Sequence, residues 1–301
     1  MTINLGSFPR MLQPGLKSIF GNAYKEHPEY YSKFFAVKDS EKNSETSASV
    51  VGFGLARVKN SGAAISMDYA KQGYSNKVTH VTYGLGYRIT EEEREDNLYK
   101  EVIQKLTPML ARSMRTTKEI VAHNILNSAF SAGVTYGDGK TLLATDHPTE
   151  SGAQSNKLSV AADLSPTSMQ DVFVMIRKAK DARGLPIDLQ PKDLIVSVED
   201  EFAAKQILKS EKIVNTNWNN INLWNSENYI KGLVVSPYLT DTDAWFMTTD
   251  CPDGLVFYKR KGITLDTHND FETKDTLVSA HERYSCTCND WRSIFGSEGA
   301  V

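Results

Sequence analysis

The chain has 301 residues, 40% of them hydrophobic and 24% charged, with a formal net charge of −3. That apolar content supports a buried core and excludes a disordered chain, and the length suits one elaborate domain or two tightly joined ones. The near balance of charge excludes a strongly basic nucleic-acid wrapper; no apolar run approaches a bilayer-spanning length, so a cytoplasmic product is expected.

Residues 1–49 mix Pro, Gly and charge with scattered aromatics, among them Phe8, Phe20, Tyr24, Tyr30, Tyr31, Phe34 and Phe35. No single period covers the stretch, so it reads as an extended arm whose aromatics find burial elsewhere in the molecule or on a neighbour. From Val51 to Val58 bulky residues alternate with Gly52, Gly54 and Ala56, the period of a strand. Val81, Tyr83, Leu85, Tyr87 and Ile89 repeat that alternation, with Gly84 and Gly86 on a thin face open to close backbone approach. The polar stretch Lys59 to Lys77 is too long for a tight hairpin turn and is expected to project as a binding loop.

Thr90 followed by Glu91, Glu92 and Glu93 forms a capping box that predicts the start of a long helix. Leu98, Val102, Leu106, Leu110 and Met114 supply its buried stripe, continued by Val121, Ile125, Leu126 and Ala129, and Pro108 is expected to kink or divide it. After a Gly-rich connector, Ser165 and Pro166 open a second helix with Met169, Val172, Phe173 and Ile176 inward and Gly184 placed to end it. Strands are expected at Leu194 to Val196, Leu233 to Val235, Ala244 to Met247, Leu255 to Lys259 and Thr276 to Tyr284, with a short helix over Glu199 to Leu208. An Asn-rich segment, Asn215 to Asn228, interrupts them.

Candidate chemistry is sparse. Gly139-Lys140-Thr141 lacks the earlier glycine of a phosphate-binding loop, follows a helix instead of a strand, and reads as a turn. Cys251, Cys286 and Cys288 are too few for a disulfide framework and have no metal-ligand spacing, so reduced thiols are expected. The six histidines are unpaired in spacing; His147 reads as a loop hydrogen-bonder, and Asp266, His268 and Asp270 as a solvated polar turn.

The order of parts, an arm, a long two-stranded loop, a long helix, a mixed α/β region and a terminal sheet segment, resembles the major capsid proteins of tailed bacteriophages. The likeness is to their Hong Kong 97-like α+β fold, and within it to the Mu-type major head subunits. It is carried by Pro14-Gly15-Leu16 with Tyr24, Thr82-Tyr83-Gly84-Leu85-Gly86, Asp138-Gly139-Lys140 with His147-Pro148, Leu194-Ile195-Val196, Pro237-Tyr238-Leu239-Thr240-Asp241 with Ala244-Trp245-Phe246, and Asp290-Trp291-Arg292. The resemblance implies an N-terminal arm over 1–49, an extended two-stranded loop over 50–90, a peripheral domain with a spine helix over 91–193, an axial domain over 194–279, and a returning segment over 280–301.

It further implies a structural shell subunit, not an enzyme, without cofactor or metal. Copies would form the hexamers and pentamers of an icosahedral head around double-stranded DNA, which they touch weakly and without sequence preference. The virion is the expected location, after assembly in the host cytoplasm and away from membranes. A separate scaffolding protein and a portal are the implied partners, with a decoration protein left open. Lys59, Asp68, Tyr69, Lys71, Tyr74 and Lys77 of the extended loop are the candidate intersubunit contacts. The alternatives are an encapsulin-like nanocompartment shell and a cytoplasmic α/β enzyme using His147 or His281 with nearby acids.

Overall fold

The computed structural model describes residues 9–95, 99–212, 221–227 and 229–300. The predicted arm is in large part a helix, α1 (Pro9–Glu26), followed by the single turn α2 (Tyr31–Phe34) and a short strand β1 (Ala36–Asp39). Leu16, Phe20 and Ala23 recur at helical spacing and bury their face against Leu110, Ala111 and Met114 of the long helix and against Leu265, Val278 and Ala280 of a sheet. Pro14 and Gly15 hide this period in the sequence, yet the helix runs through both. Three aromatics of this region, Tyr31, Phe34 and Phe35, are buried within the chain in its central core, while Phe8 lies outside the described residues.

The long helix is α4 (Tyr99–Asn127), which runs undivided through Pro108. Thr90 does form the capping box, its backbone N–H donating to the Glu93 carboxylate at 3.1 Å and its hydroxyl accepting from Glu93 N–H at 3.3 Å. That box opens the helical turn α3 (Glu91–Glu95), and residues 96–98, between it and α4, lie outside the described residues. Leu98 of the predicted stripe lies outside the described residues.

Two four-stranded sheets frame α4. The first has the order β1, β10 (Leu255–Asn269), β11 (Thr276–Cys288), β4 (Val81–Ile89), with β1 parallel to β10 and the other pairs antiparallel. The second has the order β12 (Ile294–Ser297), β9 (Trp245–Thr249), β7 (Pro191–Val196), β8 (Gly232–Val235), with β7 and β8 parallel. Helices α5 (Pro166–Arg177) and α6 (Glu201–Lys209) bring Met169, Val172, Ile176 and Ala204 onto this second sheet.

Alternation along β7 and β9 divides their side chains between two cores. Ile195 and Phe246 point to the core shared with α4, while Leu194, Val196, Trp245 and Met247 point to the core under α5 and α6. A strand buried on both faces must be apolar throughout, which is why these segments read as unbroken apolar runs.

Several expectations need correction. The strand predicted over Val51 to Val58 is β2 (Ser44–Val51), paired with β3 (Lys71–Thr79); it stops at Val51 because residues beyond it have neither a ladder partner nor a surface to pack on. The predicted partner strand exists as β4, but it pairs with β11, where a Cβ on Gly86 would come within 2.7 Å of the Val278 carbonyl. The helix from Pro166 ends at Arg177, seven residues before Gly184, which instead supplies a positive φ of 87° to a later turn. Asp266 and His268 stand on β10 opposite Ser279 and Leu277, not in a turn. Half of the Asn-rich segment lies outside the described residues; its described part carries a short helix, α7 (Leu223–Ser226).

Charged groups inside the fold bind the N-terminal segment to α4 and the first sheet. Lys118 reaches Glu282 at 2.5 Å and Tyr24 at 2.6 Å, with Lys118 and Glu282 side chains 10% and 1% exposed. The Glu119 carboxylate accepts the backbone N–H groups of Tyr30 and Tyr31 at 3.0 and 3.1 Å. His123 contacts the Glu119 carbonyl at 2.7 Å and the Ser236 hydroxyl at 2.8 Å, and burial pushes its pKa down to about 4.

Candidate assembly surface

The antiparallel pair β2–β3 and the segment 52–70 between them form a strap that leaves the two-sheet body. Its root is a polar knot. His80 contacts Ser40 at 3.0 Å through Nε2 and Ser285 at 2.8 Å through Nδ1, its backbone N–H donates to the Asn43 carbonyl, and Arg283 reaches the Asn43 side chain at 2.5 Å. Further out, Asn76 donates to the Thr287 hydroxyl at 2.7 Å and to the Cys288 carbonyl at 2.8 Å. Tyr74 packs on Gly137, where a Cβ would lie 2.7 Å from its ring, and burial raises its phenol pKa.

Past Val51 the chain has no regular structure, and its apolar side chains face outward. Leu55, Val58 and Met67 are 81%, 94% and 77% exposed, and Val50, Phe53, Ile65 and Tyr69 are exposed beside them. One large apolar side chain on a surface is ordinary, but seven on one strap are a contiguous candidate for contact with another molecule.

The six candidate contact residues divide. Lys59 and Lys77 are exposed, Lys59 in the irregular part and Lys77 on β3. Asp68, Tyr69 and Lys71 have partners within the chain. Asp68 accepts from Gly54 N–H at 2.8 Å and from Arg183 at 2.6 Å, the Tyr69 carbonyl accepts from Arg183 at 2.9 Å, and Lys71 pairs with Glu150 at 3.4 Å. The backbone N–H groups of Gly54 and Tyr69, with Arg183 beside them, hold the Asp68 carboxyl below the usual carboxylate range. Tyr74 is a root anchor. Sequence reasoning missed Arg183, whose only signal is the adjoining Gly184; of the exposed apolar residues, those over Val51 to Val58 looked like a strand and Ile65 and Met67 were lost in a stretch that looked polar.

Neither rival histidine site is arranged for turnover. His147 is fully buried; its Nδ1 meets Asp138 at 2.6 Å, its Nε2 meets Asn156 Oδ1 at 2.9 Å, and its ring stacks on Trp291 at 4.3 Å. The adjoining void of about 10 Å³ admits no substrate. Asn156 also donates to the carbonyls of Leu142, Trp291 and Ile294, so the group is a buried joint between connector and C-terminus. His281 contacts Lys261 at 2.7 Å and lies 3.6 Å from Asp266 on an open strand surface. Lys140 pairs with Asp146, and Gly139 at a φ of 78° makes the turn expected there. All three cysteines are free; burial pushes Cys251 and Cys286 up to about 12, and raises Cys288 as well, so none is a ready nucleophile. Among the described residues no helix is long and apolar enough to cross a membrane.

A model of the phage capsid protein family matches residues 73–296, from β3 to β12. The chain belongs to that family. Its family places it among structural shell proteins, and its fold agrees. It is similar to the subunit of a virus-like particle from Pyrococcus furiosus, with a TM-score of 0.55 at 13% identity, covering 94% of this chain and 98% of that one. It is also similar to the capsid of a native GTA particle, with a TM-score of 0.54 at 9% identity over 90% of each chain. A third likeness is to the capsid of Myoviridae phage XM1, with a TM-score of 0.51 at 11% identity, covering 90% of this chain and 91% of that one. No curated protein matches the sequence. The mixed helix and sheet architecture is therefore that of phage capsids.

Proposed function

We propose that this chain is the major capsid protein of a tailed phage, assembling as hexamers and pentamers into an icosahedral head around double-stranded DNA. The observation that carries this reading is the strap: a rigidly rooted β-pair ending in apolar side chains for which its own subunit provides no cover. Buried apolar area stabilises association by about 25 cal/mol per Å², so a second copy that covers Leu55, Val58 and Met67 is the natural sink for them. Each copy both gives and receives such a contact, a heterologous arrangement that closes into rings. Modest contacts repeated around every subunit then yield a durable container.

In this reading Lys59 and Lys77 are direct intersubunit contacts, residues 91–193 form the peripheral domain, and residues 194–279 form the axial domain nearer the ring centre. A separate scaffolding protein guides closure and a portal occupies one vertex. The near-neutral charge leaves DNA confined and only weakly held. The test replaces residues 53–69 by a short Gly-Ser turn and coexpresses the chain with its scaffolding protein. A soluble subunit with unchanged thermal unfolding and no closed shells under negative stain is expected; normal shells would overturn the strap's role.

A nanocompartment shell holding protein cargo is the second reading, supported by the fold shared with the virus-like particle subunit. The contents of purified native particles separate the two, nuclease-protected DNA favouring a head and an enclosed protein favouring a compartment.

A further inference from the structure

We infer that Arg183 is a latch that parks the strap on its own subunit before assembly and lets go when the strap passes to a second copy. This rests on the reading of the strap as an assembly element. The receiving surface is built from two turns fastened to each other. The Asp181 carboxylate accepts the backbone N–H groups of Arg183 and Leu185, both at 2.8 Å, and Gly184 supplies the positive φ that closes this turn. The hairpin of β5 (His147–Thr149) and β6 (Gly152–Gln154) is tied to it by Ser151 N–H on the Ala182 carbonyl at 3.1 Å and by the Gln154 amide on the Asp181 carbonyl at 2.9 Å.

The guanidinium of Arg183 is therefore presented on a fixed platform, its side chain only 16% exposed. The strap meets it with polar groups alone: the Asp68 carboxylate and the Tyr69 carbonyl, with Lys71 on the neighbouring Glu150. Asp68 at the same time accepts the N–H of Gly54, so one carboxylate gathers both limbs of the strap and fastens them together. The exposed apolar side chains take no part. A contact made only of partly solvated polar groups is weak and is weakened further by salt, whereas burial of the strap's apolar residues on another copy is not screened by salt. The arrangement holds the strap in one place without consuming the surface it will use.

The experiment follows the unassembled full chain and three variants, Asp68→Asn, Arg183→Gln and the pair together. Trypsin cleavage at Arg57 and Lys59, read by mass spectrometry, reports strap release; light scattering with the scaffolding protein reports assembly. For an ion pair whose carboxylate is about half exposed, each single variant should speed both cleavage and assembly by about fivefold, and the double variant should add little more. Raised salt should bring the unaltered chain to the same cleavage rate. Unchanged cleavage in Asp68→Asn, which leaves the receiving turn intact, would overturn the latch. So would faster cleavage with unchanged or slower assembly, since Arg183 would then only tidy the strap. Shells formed by a chain without the strap would sink the wider reading while leaving the cleavage result standing.

Discussion

The strap and the middle of α4 invert the usual placement of residues. Around α4 a lysine, two glutamates and a histidine lie inside the protein, each with partners on other elements of the same chain. On the strap a leucine, a valine and a methionine lie outside with no such cover. Buried polarity is tolerated where each side chain finds a partner, and it then fixes one arrangement of helix, sheet and N-terminal segment. Exposed apolarity is tolerated where a partner will arrive. The difference separates what the subunit completes alone from what it leaves for assembly.

The sharpest way to break the α4 side is to place an uncompensated charge on its buried face. Leu110→Asp should lose roughly 4 kcal/mol or more, enough to abolish soluble folded protein, read from the soluble fraction and from urea denaturation. A smaller effect comes from acid. The His123 pKa is held near 4 in the fold against an unfolded value near 6.5, so its contribution is whole above pH 6.5 and is lost as pH falls from there to about 4. That window should cost about 3 kcal/mol, and His123→Gln should flatten the pH dependence of the urea midpoint across it. The smallest effect on stability belongs to the strap: Leu55→Ser with Val58→Ser should move the subunit's unfolding free energy by less than about 0.5 kcal/mol while sharply reducing shell yield. A large loss of subunit stability there would mean that these side chains already have their partner.

Much of the fold was legible because its signals are local. The capping boxes at Thr90 and Ser165 and the unbroken runs at Leu194 to Val196 and Trp245 to Met247 each state their own conformation through hydrogen-bonding chemistry or double-sided burial. Strand pairing was less so. Val51 to Val58 carries a strand's alternation, but a strand needs a neighbour, and the neighbour's absence beyond Val51 is a fact of three-dimensional placement. The helix at the N-terminus was hidden by Pro14 and Gly15, and its register is set by what Leu16 and Phe20 meet on α4. Of the candidate surface, the projecting loop was readable from its length and polarity. Arg183 was not, because its role depends on an aspartate more than a hundred residues earlier.

The two strands that alternate between both cores carry a mechanical consequence. Because Leu194 and Ile195 are adjacent in the chain yet belong to opposite sides, the wall between the halves of the molecule is one residue thick and shared. Neither half can melt while the other stays ordered, so the body should give way in a single calorimetric transition.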